Sequence, residues 1–340
     1  MNNLALSYAA VGRYEDAIAL EVEALKIDQN VAVALSNLGW QYMALNRYDE
    51  AEATLEQAYA RNLTFHRLHS NHYLLAFAQG DEAEMQRQLE WASGKPIEFT
   101  FKEWQSWGEM FRGHSRKSSE TALRAAESAK ALGFKNEPAR ILSNLAAQSA
   151  LVGDCERSRA ETAEALAAAS GRDLEPTAVL GPALCGDADR AQVLMDALAR
   201  RWPLSTQVNA IWGPVSRAAI DTNRGNPGEA IRLLEKSKPY EMGWVGGYWP
   251  TYARAQAYLR QGSAAEAMAE FQKIIDRRGV WPVAVHFPLA HLGFARAAAL
   301  AGDTPKSRKA YQDFFALWKD ADPDIPVLLE AKREYEKLTR

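Results

Sequence analysis

The sequence lacks the features that mark several protein classes. It has no run of roughly 18 apolar residues, so no segment is long enough to cross a membrane as a helix. A basic flank followed by an apolar core is absent from the N-terminus, and no signal peptide is predicted. The net charge of −3 argues against nucleic acid or an anionic membrane as the main partner, because both need a concentrated basic surface. We expect no nucleic-acid binding and no direct membrane insertion. The sequence does not decide the compartment, and a cytoplasmic location is expected only for a chain that stands alone.

Catalytic and metal-binding signatures are also missing. The sequence contains no glycine-rich phosphate loop and neither the H-R-D nor the D-F-G motif of protein kinases. We therefore predict no enzyme activity and no cofactor. The two cysteines, Cys155 and Cys185, are too few for a disulfide framework. They are interpreted as buried or incidental free thiols, with a redox role as the alternative.

What the sequence does contain is a pattern written twice near its start. Seven residue pairs share one spacing, and the first pair, Leu4 and Leu38, sets it at 38 − 4 = 34 residues. A period of about 34 residues is that of the tetratricopeptide repeat (TPR). Residues 37–60, NLGWQYMALNRYDEAEATLEQAYA, resemble a TPR unit. The pairs are Leu4/Leu38, Tyr8/Tyr42, Gly12/Asn46, Arg13/Arg47, Tyr14/Tyr48, Ala17/Ala51 and Ala24/Ala58.

The resemblance implies two antiparallel helices in each unit, with a turn that favours a left-handed residue between them. Searching for Gly or Asn at that position predicts about nine helix pairs. A small residue follows five positions later in eight of the nine units, where it lets the two helices approach closely. The predicted turns are Gly12, Asn46, Gly80, Gly113, Gly153, Gly186, Gly225, Gly262 and Gly302.

The predicted fold is therefore an all-α TPR superhelix, an α-solenoid, over residues 1–324. Spacing is regular over residues 1–99, irregular over 100–250, where Pro182 and Pro214 interrupt first helices, and regular again over 251–319. Residues 325–340 are predicted to form a capping helix with an apolar stripe, which covers the last repeat. The stripe consists of Ile325, Leu328, Leu329, Tyr335 and Leu338.

The start of the chain does not match a full repeat. Leu4 takes the place of Leu38, which is seventh in a repeat that begins at Ala32. The first repeat would therefore begin before Met1. Either the first turn is frayed or the chain is a piece of a longer protein, and we favour the second interpretation.

The C-terminal part carries a narrower resemblance. Residues 290–338, AHLGFARAAALAGDTPKSRKAYQDFFALWKDADPDIPVLLEAKREYEKL, are similar to the end of the TPR region in acidobacterial signalling proteins. Those proteins join such repeats to an upstream serine/threonine kinase or winged-helix regulator. The resemblance implies a non-catalytic, protein- or peptide-binding scaffold that serves a bacterial signalling protein. The alternative is that the chain is part of a kinase or transcription regulator whose other domain lies upstream. A metal- or small-ligand-binding protein is the third reading.

A row of asparagines marks the predicted binding groove. The first helix of each TPR unit lines the concave surface, and its sixth position is Asn in four of the first five units. Carboxamides can donate and accept hydrogen bonds along the backbone of an extended peptide. The row resembles the asparagine ladder in the TPR superhelix of O-linked GlcNAc transferases, although Asn is also common at this position in TPR units generally. The row consists of Asn3, Asn37, Asn71 and Asn144.

Four apolar residues occupy neighbouring groove positions in the second and third units. Exposed aromatics beside amide donors would form a binding floor, and the alternative is that they pack between units. Because the row stops after Asn144, any peptide groove is assigned to the N-terminal half. The expected partner is a protein or peptide segment, bound by a monomer or weak homodimer. The four residues are Trp40, Met43, Leu74 and Phe77.

Two further clusters have a functional and a structural interpretation. His66, His69 and His72 are spaced three apart, as metal ligands on one helix can be, but no cysteine or carboxylate group completes a site. We interpret them as structural. The aromatic loop around Trp244, Tyr248 and Trp249 could cradle a ligand or cap a gap between repeats.

Overall fold

The computed structural model describes residues 1–168 and 176–339. This part of the chain forms 19 α-helices with short 3₁₀ and π segments, and it contains no strand. Nine helix pairs are followed by α19 (Pro326–Thr339), and Arg340, the end of the predicted capping segment, lies outside the described residues. The first helices of the pairs are α1 (Asn2–Ala10), α3 (Ala32–Ala44), α5 (His66–Gln79), α7 (Glu98–Phe111), α9 (Glu137–Leu151), α11 (Leu180–Leu184), α13 (Gly213–Asn223), α15 (Trp249–Gln261) and α17 (His286–Leu300). The second helices are α2 (Tyr14–Ile27), α4 (Tyr48–Ala60), α6 (Glu82–Ala92), α8 (Ser115–Ala131), α10 (Cys155–Ala168), α12 (Ala188–Arg201), α14 (Pro227–Leu234), α16 (Ala264–Asp276) and α18 (Thr304–Leu317).

The turns within the pairs confirm the predicted register. All nine predicted turn residues have a positive φ, from 60° at Asn46 to 88° at Gly262. The small residue five positions later is at most 1% exposed in every unit that has one. Where it is serine, its hydroxyl also joins the helices: Ser158 donates to the Ala146 carbonyl and Ser307 to the Ala295 carbonyl. The all-α solenoid of helix pairs is therefore confirmed.

The irregular units are the sixth and seventh. A 3₁₀ turn (Pro176–Val179) precedes α11, which has only five residues, and Pro182 lies within it. A π-helical segment (Gln207–Trp212) precedes α13, and Pro214 lies in its first turn, as expected for a late helix start. The fourth pair was also expected to be irregular, but α7 and α8 are full helices of 14 and 17 residues.

The solenoid coils far enough for its last units to pack on its first. The first helices of units 1, 2, 4 and 5, or the turns that follow them, each accept a hydrogen bond from the C-terminal third of the chain. These contacts place the turn edge of the N-terminal half against units 7 to 9 and α19. The amide hydrogen bonds are Trp244 to the Ala9 carbonyl, Gly279 to Asn46 Oδ1, Asp322 to the Gly113 carbonyl and Val327 to the Val152 carbonyl.

The irregular segment 277–288 is the centre of this contact. Its residues 282–288 are all buried, although only the last three belong to a helix. Asn46 also holds the residue before this segment, because its side-chain amide donates a hydrogen bond to the Asp276 carbonyl at 2.7 Å. A Cβ on Gly279 would lie 1.7 Å from the Met43 carbonyl oxygen, so glycine is required here. The loop around Met242 makes a similar contact with unit 1, where the Tyr14 hydroxyl donates to the Met242 carbonyl at 2.7 Å.

The closing helix α19 covers the last repeat as predicted, with one difference. Ile325 and Leu328 are buried, and Tyr335 and Leu338 pack against the same apolar cluster. Leu329 was assigned to this stripe, but it is exposed, and Ala331 is fully buried instead. Arg296 of α17 also holds the helix through Glu330 and Glu334, each at 2.9 Å.

The two cysteines correct the sequence interpretation, because they form a disulfide rather than free thiols. Cys155 begins α10 and Cys185 follows α11, so the bond joins the turns of the fifth and sixth units, with Cα atoms 5.5 Å apart. It therefore ties the shortest first helix of the solenoid to its neighbour. Such bonds persist mainly in oxidising compartments, so the pair bears on the compartment that the sequence left open.

We expect Cys155→Ala/Cys185→Ala to lower the free energy of unfolding by about 3 to 4 kcal/mol, the chain-entropy value for a loop of about 30 residues. Denaturant melts of the wild type and the double variant, with and without dithiothreitol, measure this loss of stability. The reductant should destabilise only the wild type. Two titratable thiols in the folded, oxidised protein would contradict the bond.

A buried carboxyl in the fifth unit makes stability depend on pH. Glu161 is buried between α8, α9 and α10 and accepts hydrogen bonds from Ser119 and Ser149, both at 2.7 Å. Burial nevertheless raises the pKa of this carboxyl to about 7. Between pH 4.5 and 7 the folded protein therefore keeps a proton that the unfolded chain releases, and stability falls as pH rises through this window.

The expected loss from Glu161 is about 3 kcal/mol between pH 4.5 and 7. Glu161→Gln keeps the neutral shape and should flatten this slope in denaturant melts across the window. An unchanged slope in the Glu161→Gln protein would show that other groups cause the pH dependence.

Candidate binding site

The predicted asparagine row does not form an open ladder. Asn37 is only 4% exposed, and its amide donates to Glu21 Oε1 at 2.9 Å. The Asn71 amide donates to the Ser36 carbonyl at 2.7 Å, and the Asn144 amide lies 3.4 Å from Glu103 Oε1. Only Asn3 is exposed. Three of the four amide groups are thus engaged by neighbouring units, and peptide binding by the row stays a prediction.

The predicted apolar floor is wrong for three of its four residues. Met43, Leu74 and Phe77 are 1%, 3% and 3% exposed, so they belong to the core between units. Trp40 is half-buried, with its ring 5.7 Å from that of Tyr14 in an edge-to-face contact. The alternative interpretation, packing between units, is therefore correct for the buried three.

The chain's own segment 277–288 explains why this surface is closed. Trp281 lies 5.4 Å from the Trp104 ring and 5.9 Å from the Trp107 ring, both on α7. Phe287 stacks on Phe111, with ring centroids 5.9 Å apart, and the Arg278 guanidinium lies over both of these rings. Apolar side chains of the first helices are thus covered from within the molecule.

Two of the three histidines of α5 occupy packing positions, and His66 is exposed. His69 stacks on Trp91 with ring centroids 3.5 Å apart and bonds Gln88 Oε1 at 2.8 Å, while burial lowers its pKa. His72 is buried and lies 3.0 Å from Glu52 Oε1. Across residues 1–168 and 176–339, no group of three or more His, Cys, Asp or Glu side chains is arranged to hold a metal ion.

The aromatic loop divides between two places. Trp244 packs on α1, where its ring nitrogen lies 3.4 Å from the Leu6 carbonyl. Tyr248 is buried, and its hydroxyl donates to the Arg277 carbonyl at 2.7 Å. Trp244 therefore contacts the first unit directly, and Tyr248 anchors the start of segment 277–288. Trp249 instead lines an open cavity.

This central cavity has a volume of about 460 Å³ and lies in the C-terminal half. The first helices of units 5 to 9 (α9, α11, α13, α15 and α17) surround it, and α19 forms the remaining wall. Its volume falls in the range of about 300 to 1,000 Å³ that is typical of ligand sites. The cavity is therefore the concave surface that remains open after the solenoid has closed on itself.

The floor of the central cavity is apolar. The rings of Trp249 and Tyr252 face it together with small and branched aliphatic side chains. His286 stands behind the two rings, 4.4 Å from Trp249 and 5.2 Å from Tyr252, and burial lowers its pKa to about 3. The rings are thus held by a neutral imidazole. The aliphatic lining residues are Ala150, Leu151, Leu184, Val215, Ala219, Ala253, Pro326 and Val327.

Polar groups stand at separate points around this floor. The Asn223 amide donates to the Leu184 carbonyl at 3.1 Å. The Thr222 hydroxyl oxygen is buried and has no hydrogen-bond partner among the residues that the structure describes. Gln256 hydrogen-bonds Tyr252, whose pKa burial raises to about 12, so the phenol is neutral at physiological pH. Hydroxyl and amide groups of this kind can bond a peptide backbone without selecting charge.

Two arginines set the charge of the cavity wall. Arg296 is neutralised by Glu330 and Glu334. Arg333 of α19 is exposed and forms no ion pair with a described residue, its one hydrogen bond going to the Leu329 carbonyl. The wall built by α19 therefore carries a free cation at its solvent side.

The groove predicted from the sequence lies in the N-terminal half, whereas the central cavity is lined by units 5 to 9. The available signal was the change of size at the sixth repeat position, from Asn in the early units to Ser216, Ala253 and Gly293. Ala253 lines the cavity. The space beside Gly293, in contrast, is occupied by the Phe271 ring, which would lie 2.2 Å from a Cβ atom added to Gly293. A small residue therefore opens space only where no neighbour enters it, and the sequence does not supply that information.

Comparison with known proteins supports the repeat assignment. Residues 8–70 and residues 248–273 match family models of the tetratricopeptide repeat, so the chain contains these repeats in both halves. The crystal structure of yeast Tom70 is similar at 13% identity and a TM-score of 0.35, over 99% of this chain and 94% of that one. The TPR domain of P58(IPK) has 12% identity and a TM-score of 0.31, over 99% and 96%. Neither likeness says what this chain binds, and no curated protein sequence matches it significantly.

Proposed function

We propose that this chain is a protein-binding scaffold whose C-terminal units hold an extended, largely apolar peptide segment in the central cavity. The observation that carries the proposal is the enclosure of about 460 Å³ by the first helices of five successive units and α19. Solenoids of this kind use the concave surface that their curvature creates.

The lining supports a peptide rather than a charged small molecule. Trp249 and Tyr252 offer flat apolar surfaces for large side chains. Gln256 offers an amide beside the floor, where a peptide backbone needs partners. Arg296, which lines the cavity, is already paired with Glu330 and Glu334, so it does not select a charged ligand.

Filling the cavity tests this proposal. Peptides that bind the wild-type protein are selected from a random displayed library of dodecamers, and their affinities are measured by fluorescence anisotropy. Ala219→Trp or Ala253→Trp places an indole in the cavity and should weaken binding at least about tenfold, a loss of about 1.4 kcal/mol. The matched control is Ala60→Trp on the exposed surface of α4, which should bind as the wild type does.

Failure of this experiment has a clear form. Selected peptides that bind the Ala253→Trp protein with wild-type affinity would place the site elsewhere. Asn71→Ala tests the asparagine row in the same assay. If Asn71→Ala lowers the affinity for the selected peptides and Ala253→Trp does not, the binding site lies in the N-terminal half. Thermal melts check that each variant is folded.

We further propose that the scaffold is the interaction region of a bacterial signalling protein, with a serine/threonine kinase or winged-helix domain upstream. The support is the resemblance of residues 290–338 to the repeat regions of such proteins. An in-frame domain of either kind upstream of Met1 in the genome is expected, and a stop codon followed by a separate promoter would contradict it.

A further inference from the structure

Two turns between units expose large apolar side chains beside cations. The first, called tip 1, is residues 130–135 at the end of α8, all of which are exposed. Leu132 and Phe134 are about half exposed there, although water-exposed turns are usually polar. Lys130 and Lys135 flank them, and neither forms an ion pair with a described residue.

The second turn, tip 2, is residues 200–204 at the end of α12, which are likewise all exposed. Leu204 is 96% exposed and Trp202 is 44% exposed, so both project from the surface. Arg201 lies against the Trp202 ring at 5.2 Å, and Arg200 precedes it. No carboxylate of the described chain pairs with either arginine.

Both tips lie on the same edge of the solenoid. Each follows the second helix of its unit, the fourth and the sixth, whereas units 1, 2, 4 and 5 contact the C-terminal third of the chain at the ends of their first helices or at the turns within units. In units 4 and 6 the turn that follows the second helix stays outside these contacts and is exposed. Each tip therefore presents an exposed apolar projection to solvent.

Charge separates the tips from the rest of this edge. Ile27 is also exposed at a turn between units, but Asp28 follows it and Lys26 is paired with Glu23. The net charge of −3 describes the whole chain, while the tips together carry four unpaired cations and no carboxylate. The nearest carboxylates along the chain are Glu127 and Asp196, about one turn back on α8 and α12, and Glu137 at the start of α9, which pairs with Arg140.

We propose that tips 1 and 2 form a peripheral docking surface for an anionic lipid bilayer, with Trp202, Leu204, Leu132 and Phe134 entering the interface. Lipid phosphates complement the four cations, and indole and leucyl side chains flanked by arginine suit the boundary between headgroups and acyl chains. A flat protein partner fits less well, because Leu204 is 96% exposed and so projects from the surface. The proposal does not depend on the ligand of the central cavity.

Vesicle co-sedimentation of the full chain tests the surface. The probes are phosphatidylcholine vesicles with and without 30% phosphatidylserine, roughly a typical anionic content, in low and physiological salt. Wild-type protein should bind only the anionic vesicles, and this binding should weaken as the salt concentration rises. Each cation near the surface contributes about fivefold, so Arg200→Gln/Arg201→Gln should reduce partitioning about 25-fold.

Two further variants make the test specific. Trp202→Ala/Leu204→Ala keeps the charges and should also reduce binding to anionic vesicles. The matched control, Arg224→Gln/Arg260→Gln, removes two exposed, unpaired arginines near turns within units, on the other edge, and should bind as the wild type does. Absence of wild-type binding to anionic vesicles at low salt would overturn the proposal. It would also be overturned if the control variant lost as much vesicle binding as Arg200→Gln/Arg201→Gln.

Discussion

The burial of segment 277–288 against the ends of the early first helices is the contact on which the rest of the structure depends. An isolated solenoid contacts only neighbouring units and leaves one long concave surface open. Here the turn edge of units 1 to 5 is covered by residues about 200 positions further along the chain. The indole of Trp281 meets the two tryptophans of α7, and the Gly279 amide is held by Asn46. Removal of this apolar surface from water favours the closed coil.

Closure also decides where a partner can bind. The N-terminal first helices are occupied by the chain itself, and Met43 and Phe77 are consequently core residues. In the C-terminal half the first helices line the central cavity instead, and some of the residues that face it, such as Ala219 and Ala253, are small. Helix α19 completes the wall through the ion pairs of Arg296. The same coil therefore covers one concave surface and leaves another open.

Local features of this fold could be predicted from the sequence and long-range ones could not. The turns at Gly12 and Asn46 were predictable because a left-handed backbone selects glycine or asparagine at each repeat, whatever lies nearby. The contact of Asn46 with Gly279 has no local signature, since its partners are 279 − 46 = 233 residues apart. The disulfide lay between these cases. Both cysteines stand beside turns of successive units, which brings them together, but the residue types alone do not distinguish a bond from two thiols.

Amide hydrogen exchange measures the closure of the coil most directly. The amides of Trp244, Gly279, Asp322 and Val327 bond only to groups of the N-terminal half, and none of them is protected by a hydrogen bond within its own helix. The closed coil predicts that all four exchange slowly, together with the helices of the core. Exchange at the rate of free loops, with the helices still protected, would show that the two ends of the solenoid do not pack on each other.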